Sequence, residues 1–192
     1  MNKDELRSKY LQRRRELSDV ERNRADDEIC RLLKTLPELK AIDKIVAYVS
    51  DGSEPNLMPL LQQIAASGKK IFLPRFAATS SVGYEIVETP FPATSLVTGK
   101  YGIAEPKAEL SATNDDLSTA LWLLPGVAFD AAGGRLGRGK GIYDRLLAQA
   151  GAMGVGIFYE CQQTVNVPTD EHDYSLDIII TEAGVTRIND GV

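Results

Sequence analysis

The chain has 192 residues, enough for one domain with a full core, and its 43% hydrophobic and 26% charged content is ordinary for a soluble globular protein. A net charge of −5 repels anions overall, so an anionic ligand requires a local basic cluster, and non-specific nucleic-acid binding is argued against. Two cysteines without a C-x-x-C spacing exclude a disulfide framework, and one histidine, His172, excludes multi-histidine zinc sites.

The start, Met1-Asn2-Lys3-Asp4-Glu5, has no apolar signal region, and no run approaches membrane-spanning length. A cytoplasmic protein with no membrane partner is therefore expected. Residues 2–17 are helical in composition and unusually basic. At about 100° per residue, Lys3, Arg7 and Arg14 fall within roughly 40° of one another. Leu6, Tyr10 and Leu17 lie beside that stripe. Such a row is either a solvated face or a set of stems packed along the core with their heads turned to a ligand. Ser18-Asp19-Val20-Glu21 has the capping-box pattern, and the helix it opens runs to about residue 36, before Pro37.

Residues 45–49 read as a buried strand, followed by a loop over 51–56 that carries Glu54. A short helix over 57–67 stops at Gly68, and 70–73 is another strand. Residues 82–88 form an outlying strand of mixed polarity. The stretch 89–116 is loop-rich, punctuated by Pro90, Pro92, Gly99, Gly102 and Pro106, without a domain boundary; one domain spans 1–192. Leu121-Trp122-Leu123-Leu124 is a further buried strand.

Downstream lies Gly133-Gly134-Arg135-Leu136-Gly137-Arg138-Gly139-Lys140-Gly141. The glycines free the backbone for positive φ and close approach to a ligand, while Arg135, Arg138 and Lys140 interleave as cations. Ile142, Leu146, Leu147 and Ala150 then begin a helix whose positive N-terminus faces the loop. This pattern makes an anion site, most readily for polyphosphate; the bland alternative is a flexible turn with solvated charges. Gly134 to Lys140 fits G-x-x-x-x-G-K, but Gly141 stands where a P-loop needs Ser or Thr for Mg²⁺. Asp144 is the nearest carboxylate for a metal. Its plain alternative is an acid in the first turn of a helix. Apolar strands over 154–158 and 177–181 flank the segment containing His172. With one histidine and no G-x-S-x-G elbow, a hydrolytic triad is disfavoured. Strands alternating with helices predict an α/β three-layer sandwich with a mainly parallel central sheet, Rossmann-like, with ligands beyond the carboxyl ends of the strands.

Several segments together carry a family resemblance. They are Lys3-Asp4-Glu5-Leu6-Arg7, Leu124-Pro125-Gly126-Val127-Ala128-Phe129-Asp130, Arg135-Leu136-Gly137-Arg138-Gly139-Lys140-Gly141-Ile142-Tyr143-Asp144, Val167-Pro168-Thr169-Asp170-Glu171-His172-Asp173 and Asp177-Ile178-Ile179-Ile180-Thr181-Glu182. Over nearly its whole length the chain resembles the 5-formyltetrahydrofolate cyclo-ligase (methenyltetrahydrofolate synthetase) family. One departure is Ile142, where the family usually has a second tyrosine. The resemblance implies ATP- and Mg²⁺-dependent conversion of 5-formyltetrahydrofolate to 5,10-methenyltetrahydrofolate, ADP and phosphate, through phosphorylation of the formyl oxygen and ring closure. It implies ATP contacts at Lys3, Asp4, Glu5, Leu6 and Arg7, and at Arg135, Leu136, Gly137, Arg138, Gly139, Lys140, Gly141, Ile142 and Tyr143.

The same resemblance implies folate contacts from Arg7, Val49, Glu54, Arg138, Gly139, Lys140, Gly141 and Ile142. Arg138 and Lys140 are the implied catalytic cations, and Asp144 and Asp177 the implied Mg²⁺ ligands. Alone, Asp177 reads equally as a strand-initiating acid and Glu54 as a solvated loop acid. His172 and Asp173 stay outside the catalytic set. The implied partners are ATP and a reduced folate, with a monomer expected. The alternatives are a different ATP-dependent kinase or ligase acting on another small acid, or a silent nucleotide- or folate-binding module.

Overall fold

Apolar runs without polar alternation build the centre of this protein, and amphipathic helices cover both of its faces. The computed structural model describes residues 1–92, 96–107, 117–170 and 173–188. Helix α1 (Lys3–Glu16) starts on Asn2, whose Oδ1 accepts the Asp4 and Glu5 N–H groups at 3.0 and 2.9 Å. The Glu5 carboxylate accepts the Asn2 N–H in return, completing a capping box. Helix α2 (Asp19–Thr35) opens on Ser18 and Glu21 in the same way, as its sequence predicts. Pro37, expected only to stop that helix, begins α3 (Pro37–Ala41), because its fixed φ and missing N–H suit a first helical position.

Strand β1 (Lys44–Val46) leads to α4 (Met58–Ala66), β2 (Lys70–Phe76) and β3 (Tyr84–Glu88). A small hairpin, β4 (Leu96–Thr98) and β5 (Ala104–Pro106), lies within the stretch read as loop. After β6 (Leu121–Leu124) comes a second small hairpin, β7 (Ala128–Phe129) and β8 (Arg135–Leu136). Helix α5 (Ile142–Ala150), then β9 (Met153–Ile157), β10 (Ile178–Thr181) and β11 (Gly184–Arg187) complete the order.

Seven strands form one sheet in the order β11-β10-β9-β6-β1-β2-β3. Strands β2, β1, β6, β9 and β10 are parallel, and β3 and β11 close the two edges antiparallel. Numbered by chain order, the parallel strands read 2-1-3-4-5 across the sheet. This is a doubly wound arrangement whose direction reverses between β1 and β6. The α/β architecture with a mainly parallel sheet is thus the one expected. Ile45, Ile71, Leu121 and Leu123 pack with Ile29 and Leu33 of α2 and with Leu61 and Ile64 of α4. Val46, Trp122, Leu124 and Ile179 belong to a second cluster, which Leu147 of α5 joins. Trp122 is wholly buried, yet its indole N–H is satisfied by the Leu117 carbonyl at 3.0 Å. Leu6 and Tyr10 of α1 pack with Val127, Ala128 and Leu136 around the β7–β8 hairpin.

Element boundaries differ from the sequence reading for physical reasons. Strand β1 ends at Val46, since Tyr48 turns inward and donates its hydroxyl to the Pro55 carbonyl at 2.8 Å, closing the loop that follows. Strand β2 continues to Phe76 because β3 pairs with it in register from Phe72 onward. Strand β11 is mostly exposed and carries no apolar run to announce it. Among the described residues no helix is long and apolar enough to cross a membrane. His172 lies outside the described residues.

Candidate active site

The reversal between β1 and β6 leaves two chain segments diverging at the carboxyl ends of the strands, and a cavity of ≈530 Å³ opens there. After β1, Asp51 organises a tight turn. Its Oδ1 accepts the N–H groups of Ser53 and Glu54 at 2.9 and 3.1 Å and the Ser53 hydroxyl at 2.8 Å. Gly52 takes a φ of +87° within it. The turn sends Glu54 inward, leaving it 9% exposed. Burial pushes the Glu54 carboxyl up to about 7, against the pull of the Arg14 guanidinium. After β6, Pro125 and Gly126 form the facing wall, while Tyr48 and Val49 line the cavity on the Glu54 side, just after β1.

The glycine–basic segment covers the cavity, but its parts play different roles. Gly133, Gly139 and Gly141 have positive φ, at +90°, +95° and +57°. Gly134 is not in that region; a Cβ there would lie 2.6 Å from the Asp130 carboxylate, so close packing demands the glycine. Arg135 occupies strand β8 and is buried. Its guanidinium donates to Asp144 Oδ1 at 2.5 Å and to the Pro125 carbonyl at 3.3 Å, while its Nε has no partner. Gly141 caps α5 without a side-chain acceptor, so the opening N–H groups of that helix have no side-chain cap. Arg138 bonds Asp51 and stands 3.5 Å from Glu54 Oε1, and the Lys140 ammonium rests 3.9 Å above the Tyr101 ring. Ile142, Tyr143 and Asp144 line the same cavity.

Helix α1 brings only part of its expected contacts to this loop. Arg7 Nε donates to the Gly137 carbonyl at 3.0 Å, and its guanidinium lies against Gly139. Lys3 instead bonds Asp170 and Asp173, each at 2.7 Å, and these partners raise its pKa. Leu6 sits in the apolar cluster under α1, and exposed Asp4 and Glu5 face solvent on the first turn. Glu5 is engaged in the helix cap. Leu136 is buried beside Leu6, so only its backbone is at hand.

The two expected metal carboxylates are not brought together. Asp177 precedes β10, at the amino end of the parallel strands, where it accepts the Gly154 N–H at 2.8 Å and the Tyr174 hydroxyl at 2.6 Å. Asp144 lies at the other end of Tyr174, whose backbone N–H is 3.5 Å from Asp144 Oδ1. Among the described residues no group of three or more histidine, cysteine, aspartate or glutamate side chains is arranged to hold a metal.

Arg14, Asp51 and Tyr101 stand at or beside the cavity without having been among the expected site residues. The sequence leaves the stripe of Arg14, Lys3 and Arg7 open between a solvated face and stems packed toward a ligand, and the Asp51-Gly52-Ser53 turn signal is present without a role attached. Tyr101 approaches through the β4–β5 hairpin, whose pairing no local pattern announced.

A doubly wound sheet whose switch-point cavity sets an uncapped helix start and cationic loop beside a buried carboxylate defines a class: α/β enzymes that handle an anionic co-substrate beside a polar small molecule. The model of the 5-formyltetrahydrofolate cyclo-ligase family matches residues 1–182, and the chain belongs to that family. It is 30% identical over 185 residues to the 5-formyltetrahydrofolate cyclo-ligase of Mycolicibacterium smegmatis, spanning 94% of this chain and 93% of that protein. Identity to the Escherichia coli K12 enzyme of the same name is 28% over 177 residues, covering 91% and 97%. Among solved structures, it is similar to the 5,10-methenyltetrahydrofolate synthetase of Aquifex aeolicus, with a TM-score of 0.86, 35% identity and coverage of 100% and 95%. For the Mycoplasma pneumoniae synthetase the TM-score is 0.73, with 26% identity and coverage of 95% and 99%. The chain is accordingly a ligase of folate and one-carbon metabolism, in a family whose general reaction uses ATP.

Proposed function

We propose that this enzyme converts 5-formyltetrahydrofolate to 5,10-methenyltetrahydrofolate at the expense of ATP, with the cavity at the β1/β6 reversal holding both substrates. The observation that carries this reading is the placement of Glu54 and the Arg138–Tyr143 segment on one ≈530 Å³ cavity. Ionised Glu54 is an acceptor-only group suited to the adjacent N–H donors of a pterin ring. Val49 lies in the same wall. The N-terminus of α5 and the cations Arg138 and Lys140 suit a polyphosphate, and Arg7 braces the loop from outside the cavity. In the first step the formyl oxygen attacks the γ-phosphorus and ADP leaves. Nitrogen 10 then attacks the formyl carbon, the ring closes, and the C–O bond breaks as phosphate departs with the formyl oxygen. Both steps require alignment and charge neutralisation rather than a protein nucleophile, which matches a cavity lined by cations and backbone donors.

Mg²⁺ typically keeps several waters and takes one or two carboxylates plus substrate phosphates, so a single lining carboxylate is a fitting donor set. Of the lining carboxylates Asp51, Glu54, Glu105 and Asp144, the last stands in the first turn of α5 beside the phosphate loop and is that group here; Arg135 orients it through Oδ1. When bound, Mg²⁺ would neutralise charge on the β- and γ-phosphates. Asp177, bonded at the far end of the strand, is left out of this role. The same reading makes the enzyme a cytoplasmic monomer. Cys30 and Cys161 are free thiols that burial pushes up to about 11, in keeping with a reducing compartment. The test is the appearance of methenyl-folate absorbance from 5-formyltetrahydrofolate. Absorbance that grows only with ATP supports the assignment, and growth without ATP, or none with it, overturns it.

A further inference from the structure

The floor of the cavity is held by a charged side chain with no part in the chemistry above. Arg14 lies in the last turn of α1, where an arginine is ordinarily a surface cation placed favourably for the helix dipole. Here it is 1% exposed. Its Nη1 donates to the Gly126 carbonyl at 3.2 Å and its Nη2 to Ser53 Oγ at 2.7 Å. The carboxylates of Asp51 and Glu54 stand 3.6 and 3.8 Å away. One guanidinium therefore ties the turn after β1 to the segment after β6, across the reversal where the cavity opens. Burying a guanidinium is costly, and an apolar side chain of similar length would fill the space without that cost. Its Nε remains unpartnered, so the placement is not one that hydrogen bonding alone optimises.

We propose that Arg14 is a positioning residue for the folate half of the site, fixing the Glu54 carboxylate and, together with the Gln162 amide, the Gly126 carbonyl beside the cavity. This rests on the assignment of Glu54 as the pterin acceptor. Arg14 acts through geometry and through charge. The planar fork spans two loops, which a lysine ammonium does not do. The groups that face Glu54 are Arg14 from α1, Asp51 from its own turn, Arg138 from the glycine segment, and the phenols of Tyr48 and Tyr143. Arg138 is half exposed and therefore screened, which leaves Arg14 as the buried cation that favours the charged form of Glu54.

Kinetics with wild type, Arg14→Met, Arg14→Lys and Glu54→Gln between pH 6 and 9 test this. In wild type the folate KM should improve as pH rises through the Glu54 titration. Arg14→Met should raise the folate KM about tenfold at pH 7, leave the ATP KM within about twofold, and move the bend in the folate KM profile up by about one pH unit. Arg14→Lys should keep the bend near its original pH while still raising the folate KM. If the bend stays put in Arg14→Met, or both KM values rise together, Arg14 is merely structural. Should Arg14→Met not fold, Arg14→Lys decides, and an unchanged folate KM there overturns the proposal. Glu54→Gln separates the two assignments. A bend that persists in Glu54→Gln sinks the pterin acceptor and Arg14 with it. A bend abolished there but unmoved in Arg14→Met sinks Arg14 alone.

Discussion

Glu54→Gln should weaken the substrate site and strengthen the fold at the same time. Burial raises the Glu54 carboxyl from an ordinary 4.5 to about 7. A carboxyl raised on folding binds more protons in the native state than in the unfolded one between those two values. Its stabilising effect is therefore complete below pH 4.5 and is lost as pH rises through about 7. At about 1.4 kcal/mol per pH unit, the ionised carboxylate costs the ligand-free fold at most about 3 kcal/mol at pH 8.5. Glutamine removes that cost but must bury an amide, which returns part of it, so a net gain of about 1–2 kcal/mol is expected. For a chain of this length that is a rise in Tm of roughly 2–8 °C. Calorimetry without ligands at pH 5 and pH 8.5 reads it directly. The variant should exceed wild type only at the higher pH, while its folate KM rises about tenfold and its ATP KM does not. Equal Tm differences at the two pH values, or a loss at pH 8.5, would refute the view that Glu54 is held charged against its own burial.

Three further substitutions probe the phosphate side and the helix that braces it. Lys140→Ala should lower turnover by about 10²-fold, because a preorganised phosphoryl-transfer cation is removed, and a near-normal rate in the folded variant would show the loop has been misread. Arg7→Ala should raise the ATP dissociation constant about tenfold in calorimetric titration with little change in Tm. Unchanged ATP affinity would show that the Arg7 brace on the Gly137 carbonyl plays no part in nucleotide binding. Asp144→Asn leaves the 2%-exposed Arg135 guanidinium without its counter-charge. Since the amide oxygen still accepts a hydrogen bond and Asp144 is partly exposed, a loss of about 1–3 kcal/mol is expected, below the full cost of breaking a buried pair. A Tm fall of roughly 2–10 °C and a higher Mg²⁺ requirement should accompany it, and an unaltered Tm would argue against the pair.

The elements most legible in the sequence were those with strong local signals. The Ser18 capping box, the Leu121–Leu124 run and the apolar stripe of α5 all gave elements where they were read. Charged residues inside the fold were less legible. Arg135 was taken with Arg138 and Lys140 as a phosphate cation, but it lies in a two-residue strand that turns it inward to Asp144. Arg14 shared the stripe of Lys3 and Arg7, but whether that stripe was solvated or packed stayed open, because its burial depends on Ser53 and Gly126, 39 and 112 residues away in sequence. Lys3 is taken by Asp170 and Asp173, a pairing across the length of the chain that no local pattern contains. Asp177 lies apart from Asp144 for a simpler reason. It precedes its strand, and chain direction puts such a residue at the amino end of a parallel sheet, away from a site at the carboxyl ends.

Transfer of the formyl oxygen to phosphate requires the pterin side and the polyphosphate side of one cavity to bring their ligands into direct contact. The most direct measurement uses 5-formyltetrahydrofolate labelled with oxygen-18 in the formyl group, turned over with unlabelled ATP and analysed by mass spectrometry of the phosphate released. The label should appear in inorganic phosphate in step with methenyl-folate formation. Unlabelled phosphate, with the heavy oxygen recovered in water as methenyl-folate forms, would contradict both the proposed phosphorylation and the shared cavity on which it rests.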